Sequence, residues 1–205
     1  MSNWVTLAAG QQGLVAFETC RGWIGVVVTS RGIAGATLFR PSQDAALAEL
    51  WDSCPAASLL QPAQLPELGE RLRRYAAGEP VRLDDLALDL AACTPFQQRV
   101  LRAVQGIPRG QTWSYADVAR AVGKPGAARA VGQVMARNPV PLFVPCHRVV
   151  ASGGGLGGFG GPGGLVMKRD LLDLERQPPD AGPISSSSSS AADTPEGSLP
   201  TAQTT

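Results

Sequence analysis

From residue 4 to residue 40 apolar and β-branched positions alternate with small or polar ones, broken by glycine, in LVAFET, GWIGVVVTS and GIAGATLF. Such alternation sends successive side chains to opposite faces of a strand and predicts a small antiparallel sheet built from hairpins. The period then changes. QDAALAELW (43–51) and LPELGERLRRYAAG (65–78) carry helical spacing; in the second, Leu65, Leu68, Leu72 and Tyr75 recur at i, i+3, i+7 and i+10 and make one face, ended by Gly78. VRLDDLALDL (81–90) returns to alternation at Leu86, Leu88 and Leu90 and predicts an extended segment.

A second zone opens at TPFQQRVLRAVQGIPRG. Thr94 is a capping residue, Pro95 suits the first helical position, and Phe96, Val100, Leu101 and Val104 form an apolar face. Ser114 then caps a short helix reaching Val122. Gly123-Lys124-Pro125-Gly126 breaks it, and another short helix runs from about Ala127 to Arg137. Helix, tight turn and helix within 25 residues is the helix-turn-helix outline. Asn138-Pro139-Val140-Pro141 leads from there into LFVPCHR, predicted to be a strand. After Gln177 six consecutive serines and few large apolar residues leave too little burial to offset ordering entropy, so 178–205 is expected to be a disordered tail without chemistry. The predicted fold class is α+β: a small N-terminal mixed α/β domain with an antiparallel sheet (1–93), then a mostly helical domain containing a helix-turn-helix (94–177).

Charge sharpens this division. Residues 1–93 hold 7 Arg against 10 acids, a balance of −3, while 94–177 hold 11 Lys or Arg against 4 acids, a balance of +7. A basic segment joined to an acidic one suggests that 94–177 meets a polyanion, although charge by itself favours a solvated charged surface. No run of about 18 apolar residues and no leader-like N-terminus is present, so no membrane contact is expected and a cytoplasmic location is. Cys20, Cys54, Cys93 and Cys146 form no CxxC pair, which makes reduced thiols the default, and a chain with one histidine offers no zinc set; no metal or other cofactor is expected.

That single histidine is His147, directly after Cys146 in LFVPCHRVV. A thiol reacts as its thiolate, and a free cysteine with a pKa near ~8.5 is mostly protonated at neutral pH. A neighbouring imidazole, directly or through water, can take the proton, and Arg148 adds positive potential. Taken alone, a Cys-His dipeptide is better read as a small buried thiol at a strand end beside a surface histidine. The context shifts the balance: a rigid Asn-Pro turn ties the helix-turn-helix outline, a candidate DNA-reading element, to the thiol, with seven residues between Asn138 and Cys146. Asn138 could bridge the two segments through its amide or form an ordinary Asx turn.

RNPVPLFVPCHRVV together with YADVARAVGKPGAARAVG resembles the O6-alkylguanine-DNA alkyltransferases, also called methylated-DNA–protein-cysteine methyltransferases. The resemblance is specific over 94–176, which includes KRDLLDLE, and much weaker over 1–93. It implies that 94–177 is the DNA-binding and alkyl-acceptor domain, that 1–93 supports it, and that the protein acts as a monomer on duplex DNA carrying O6-alkylguanine. O4-alkylthymine is a further substrate in question, and in a prokaryote the location would be nucleoid-associated. It implies that Cys146 accepts the alkyl group, that His147 is the base acting through a water, and that Glu175 holds the imidazole; read without the family, Glu175 is an exposed helix carboxylate. Asn138 and Tyr115 join the catalytic set, Tyr115 by promoting nucleotide rotation. Arg129 matches the finger that fills the space of the flipped nucleotide. Ala128, Ala130 and Gly132 keep that helix slim, and Arg137 also faces DNA. Pro141, Val149, Phe159 and Gly160 are the expected walls of the alkyl pocket.

SGGGLGGFGGPGG (152–164) contains nine glycines and satisfies G-x-G-x-x-G at 153, 155 and 158. It does not lie between a first strand and its helix, so a dinucleotide site is rejected. It resembles instead the family's flexible loop over the extruded base, departing from it by extra glycines, by Pro162, and by glycine at 160 where some relatives have serine. Backbone N–H groups could then supply the contact to O6. A thioether has no easy leaving path, and no second thiol or cofactor motif would reset it, so one alkyl group per chain is expected. Two other classes compete: a DNA-binding module without chemistry, and a cysteine hydrolase. Retention of Cys146, His147 and Glu175 disfavours the first; the lack of a distant histidine disfavours the second.

Overall fold

The computed structural model describes residues 7–161 and 163–176; Pro162 and the serine-rich segment lie outside the described residues. Three strands, β1 (Gln12–Thr19), β2 (Gly22–Thr29) and β3 (Gly32–Ala36), follow one another through two-residue turns. Each is antiparallel to the next, and β4 (Ser58–Leu59) adds a short parallel pairing on β1, giving the order β3-β2-β1-β4. The predicted hairpin sheet is therefore present, with one parallel edge that the alternation did not announce.

Period-2 patterning makes this sheet two-sided. Leu14 and Val27 turn towards α1 (Gln43–Trp51), where they pack with Leu50, Cys54 and Ala57. Val15, Phe17, Ile24, Val26 and Val28 turn the other way into the main core. Close approach of α1 requires glycine beneath it: a Cβ on Gly25 would stand 2.6 Å from the carbonyl oxygen of Ala46. On the opposite face α2 (Pro66–Ala76) buries Leu68, Leu72 and Tyr75, with Leu65 just before it, as the predicted stripe requires.

Residues 81–90 do not form a strand. Asp84 and Asp85 engage Arg82 and Arg71, turning the chain, and only Leu88 bridges to Ile33. The alternation survives as burial, since Leu86 and Leu90 point inwards while Leu88 is half-buried.

The helical part begins at α3 (Pro95–Gln105). Thr94 Oγ1 accepts from Gln97 N–H at 3.3 Å, and the Gln97 side chain accepts from Thr94 N–H at 2.8 Å. This reciprocal cap contributes about 0.5–2 kcal/mol. Ser114 and Asp117 repeat the device at α4 (Tyr115–Ala121), and α5 (Ala128–Ala136) follows the glycine-proline turn. Both short helices pack on α3, so the helix-turn-helix outline is realised.

LFVPCHR is the second departure. Pro141 and Pro145 have no N–H for a ladder, Leu142 takes a φ of 72°, and Cys146–Arg148 form one 3-10 turn. Only β6 (Val149–Val150) is extended, and it pairs in parallel with β5 (Trp113–Ser114). That ladder brings the start of α4 beside the Cys-His turn. The last element, α6 (Gly164–Arg176), packs against the same turn. One core cluster runs unbroken from Val15 on the sheet through Tyr75 and Leu101 to Leu174.

Candidate active site

Cys146 opens the 3-10 turn and is 7 % exposed. Its position is fixed by Asn138: the side-chain amide donates to the Val144 carbonyl at 2.8 Å, and Oδ1 accepts from Val140 N–H at 3.1 Å. Asn138 thus does bridge the two segments. The thiol borders an open cavity of about 570 Å³ shared with Tyr115, Arg129, Met135 and Phe159. A smaller one of about 130 Å³ also borders the thiol and reaches Pro141 and Asn138. Burial pushes the thiol pKa up, against the pull of the Asn138 amide, the Lys168 charge and nearby backbone N–H groups. The resting sulfur is therefore protonated at neutral pH and needs a base.

His147 is 1 % exposed, and its Nε2 lies 2.9 Å from Oε1 of Glu175. Burial lowers the imidazole pKa below 6.5 and outweighs the carboxylate's opposing effect. Glu175, 5 % exposed, is itself held well below the usual carboxylate range: burial would raise it, but His147 and Arg148 more than compensate. An ionised carboxylate only accepts, so Nε2 carries the hydrogen and Nδ1 is left as the acceptor. Among the described residues Nδ1 has no protein partner.

Tyr115 stands at the N-terminus of α4 with its hydroxyl donating to the Gly158 carbonyl at 3.2 Å. The glycine-rich segment folds over that ring, and a Cβ on Gly157 would meet it at 2.8 Å. Arg129 is exposed on α5 at the cavity's rim.

A family model described as the 6-O-methylguanine DNA methyltransferase, DNA binding domain, matches residues 95–177. The methylated-DNA–protein-cysteine methyltransferase of Mycobacterium leprae is 49% identical over 119 residues, which take in 55% of this chain and 69% of that protein. The chain belongs to this family. The constitutive methylated-DNA–protein-cysteine methyltransferase of Bacillus subtilis is 46% identical over 112 residues, covering 55% of this chain and 66% of that protein. Likeness in fold extends further. The crystal structure of the Mycobacterium tuberculosis O6-methylguanine methyltransferase superposes with a TM-score of 0.65 at 33% identity, over 83% of this chain and 97% of that one. The M. tuberculosis OGT solved in complex with DNA gives 0.63 at 32% identity, over 80% and 92%.

In this member of the methyltransferase family several expected positions converge and others do not. Ala128, Gly132, Phe159 and Gly160 line the larger cavity with Cys146, and Pro141 lines the smaller one. Val149 does not wall the pocket. Its side chain is fully buried in the core, and its carbonyl accepts from Lys168. Ala130 and the exposed Arg137 border neither cavity. Gly160 has no room for a side chain: its Cβ would stand 2.6 Å from the Ala136 carbonyl oxygen.

Two further expectations are corrected. Glu175 is not an exposed helix carboxylate, since it lies on the inward stripe of α6 with Lys168, Leu171 and Leu172. Arg148 does not lend its charge to the thiol. Its Nε and Nη2 donate to Glu175 at 2.8 and 2.7 Å and Nη1 to the Ile107 carbonyl, so the two charges neutralise each other.

Sequence reasoning missed Lys168. It is fully buried, and its Nζ donates to the carbonyls of Val149 at 2.6 Å and Gly158 at 3.2 Å. Burial lowers its pKa to about 8, opposed by the negative charge that Cys146 can carry. Its signal was available: a lysine and a glutamate seven apart on an otherwise apolar helix face. Among the described residues no three His, Cys, Asp or Glu cluster to hold a metal ion, and no helix is long and apolar enough to cross a membrane.

Proposed function

We propose that this protein repairs DNA by moving the alkyl group of O6-alkylguanine in a duplex onto Sγ of Cys146, once per molecule. The observation that carries the reading is one thiol bordering an open cavity, next in the chain to a buried imidazole whose tautomer Glu175 sets. Among the four cysteines only Cys146 borders that cavity.

His147, acting through a water at Nδ1, takes the thiol proton as the sulfur attacks. The S–C bond forms, the C–O6 bond breaks, and the electron pair returns to the purine. The departing purine takes up one proton, through the Tyr115 hydroxyl, which recovers it from solvent, while the imidazolium releases the thiol's proton to solvent, so no net proton is gained or lost. Glu175 stabilises the imidazolium that forms, as a carboxylate does in other thiol- and hydroxyl-activating sets. The thioether has no leaving path, which makes the reaction stoichiometric.

A base inside a duplex cannot reach a thiol this deep and must be extruded, at a cost of about a few kcal/mol in lost stacking. Arg129, the one long side chain on a helix start otherwise made of Ala127, Ala128, Ala130 and Gly132, would occupy the vacated stack. Lys168, by holding the Gly158 carbonyl, keeps the glycine-rich segment over the cavity. On this reading 94–177 binds DNA and accepts the alkyl group, 1–93 supports it, and one chain suffices.

The deciding experiment is intact-mass analysis after exposure to O6-methylguanine duplex. The expected gain is one CH₂ group per chain, mapped to Cys146 and lost in Cys146→Ala. Repeated turnover by one molecule, or alkylation elsewhere, would overturn the reading.

A further inference from the structure

Glu175 is held from outside its own half of the chain. Its Oε1 receives three donors: His147 Nε2 at 2.9 Å, Arg148 Nη2 at 2.7 Å and the Tyr75 hydroxyl at 2.8 Å. Tyr75 belongs to α2, 100 residues earlier, and is 1 % exposed. Arg109 constrains the phenol from behind. Its guanidinium lies 5.8 Å from the ring centroid and donates to the carbonyls of Gly78 at 2.7 Å and Glu79 at 3.0 Å, just past α2, and to that of Leu174 at 2.8 Å on α6. The end of α2 and the end of α6 are therefore clamped together at the carboxylate.

The chemistry of this contact runs one way. Burial and the neighbouring carboxylate raise the phenol well above 10, so Tyr75 is a permanent donor and Glu175 a permanent acceptor. Donors sharing one oxygen compete for its negative charge. Whatever charge the phenol draws from Oε1 is withdrawn from the contact with His147.

We propose that Tyr75 is a positioning residue of the alkyl-transfer site: its hydroxyl fixes Oε1 of Glu175 against Nε2 of His147 and limits how strongly the imidazole holds a proton. This rests on the reading of His147 as the base. The charged and titratable groups facing the pair come from four places: Cys146 and Arg148 on the 3-10 turn, Lys168 on α6, Tyr75 on α2, and Arg109 before β5. Asp84, from the 81–90 segment, acts on Arg148 from further out. Arg148 and Lys168 oppose a second positive charge at His147, and Tyr75 adds to them without carrying charge itself.

The chain makes the test clean, because it has one histidine and only two tyrosines. The ring resonances of His147 are to be followed by NMR against pH in the native protein, in Tyr75→Phe, and with 3-fluorotyrosine, a stronger donor, placed at 75. The transfer rate to O6-methylguanine duplex is measured alongside. Tyr75→Phe is expected to move the histidine midpoint up by about half to one pH unit, and the rising limb of the rate profile with it. One alkyl group should still be taken up per chain. Fluorotyrosine is expected to move both downward, and it decides the matter if Tyr75→Phe does not fold. Folded variants whose histidine titration and rate profile coincide with the native ones overturn the proposal. If the native protein takes up no alkyl group, the reading of the reaction falls instead, and the histidine midpoint alone still judges the link from Tyr75 to His147.

Discussion

Lys168 Nζ lies 3.2 Å from the carbonyl oxygen of Gly158, and the same carbonyl accepts from the Tyr115 hydroxyl at 3.2 Å. A buried ammonium and a phenol thus pin the glycine-rich segment at one point. The ammonium is also among the groups that favour a negative charge on Cys146. Replacing Lys168 by Met keeps the volume and removes both effects. Transfer is expected to slow by about tenfold or more, with a stability loss of about 1–3 kcal/mol from the undonated carbonyls. The Cys146 thiol should titrate higher, measured by iodoacetamide labelling of its peptide across pH. Unchanged rate and labelling would remove Lys168 from the site.

The histidine supplies a pH prediction. Its folded pKa is lowered from 6.5, so the folded protein keeps His147 neutral in a range where the unfolded chain is protonated. The transfer rate should therefore hold as pH falls through 6.5 and drop only at the lower pH where the folded protein's own imidazole is protonated. Stability should drop between those two points, because there the unfolded state binds the extra proton. A rate profile rising through a midpoint above pH 7 would contradict this assignment.

Glu175→Gln is expected to cost about 3–5 kcal/mol at neutral pH, since Arg148 is left as an uncompensated buried charge. The native carboxyl is depressed from its ordinary 4.5, so its contribution is complete above that value and is lost as pH falls below it. The difference between native and variant in urea unfolding should accordingly shrink in acid. A difference that stays constant down to pH 3 would point to lost packing alone.

Arg129→Ala tests the duplex side separately. The side chain is exposed, and stability should change by no more than about 0.5 kcal/mol. Transfer from O6-methylguanine in duplex is expected to fall by about tenfold or more, since the stack is no longer filled. Transfer from the free base O6-benzylguanine should remain native. Equal loss on both substrates would place Arg129 in the chemistry and not in the extrusion.

Gly160→Ser probes a position that leaves no room for a side chain. Its Cβ would press on the Ala136 carbonyl, so the segment must shift. Lower thermal stability and slower transfer of benzyl than of methyl groups are expected, by calorimetry and single-turnover kinetics. Native behaviour with both would show that the segment moves freely.

What the sequence disclosed depended on range. Helix α2 was legible because Leu68, Leu72 and Tyr75 repeat with the helical period, and α3 and α4 because Thr94 and Ser114 sit at their starts. These are local signals. The 81–90 segment misled because alternation records burial, which it has, and not ladder pairing, which Asp84 and Asp85 prevent. LFVPCHR misled because apolar content outweighed the two prolines that bar a ladder. At the site, Cys146 and His147 stood out as neighbours in the chain, whereas Glu175 needed the resemblance. Tyr75 and Arg148 showed as a helix face and a source of charge, since their contacts with Glu175 are 100 and 27 residues long. Partnerships at that distance leave no periodic trace.

The unbroken core from Val15 to Leu174 has a bearing on any attempt to shorten this protein. A fragment starting at Thr94 would keep its thiol and imidazole yet expose the apolar side chains that now share this core with the residues before it, and its carboxylate would trade a phenol for solvent. Excision of the first half would leave a sticky, differently tuned remnant, and so a miniature built on 94–177 calls for a new apolar cover and a replacement donor together.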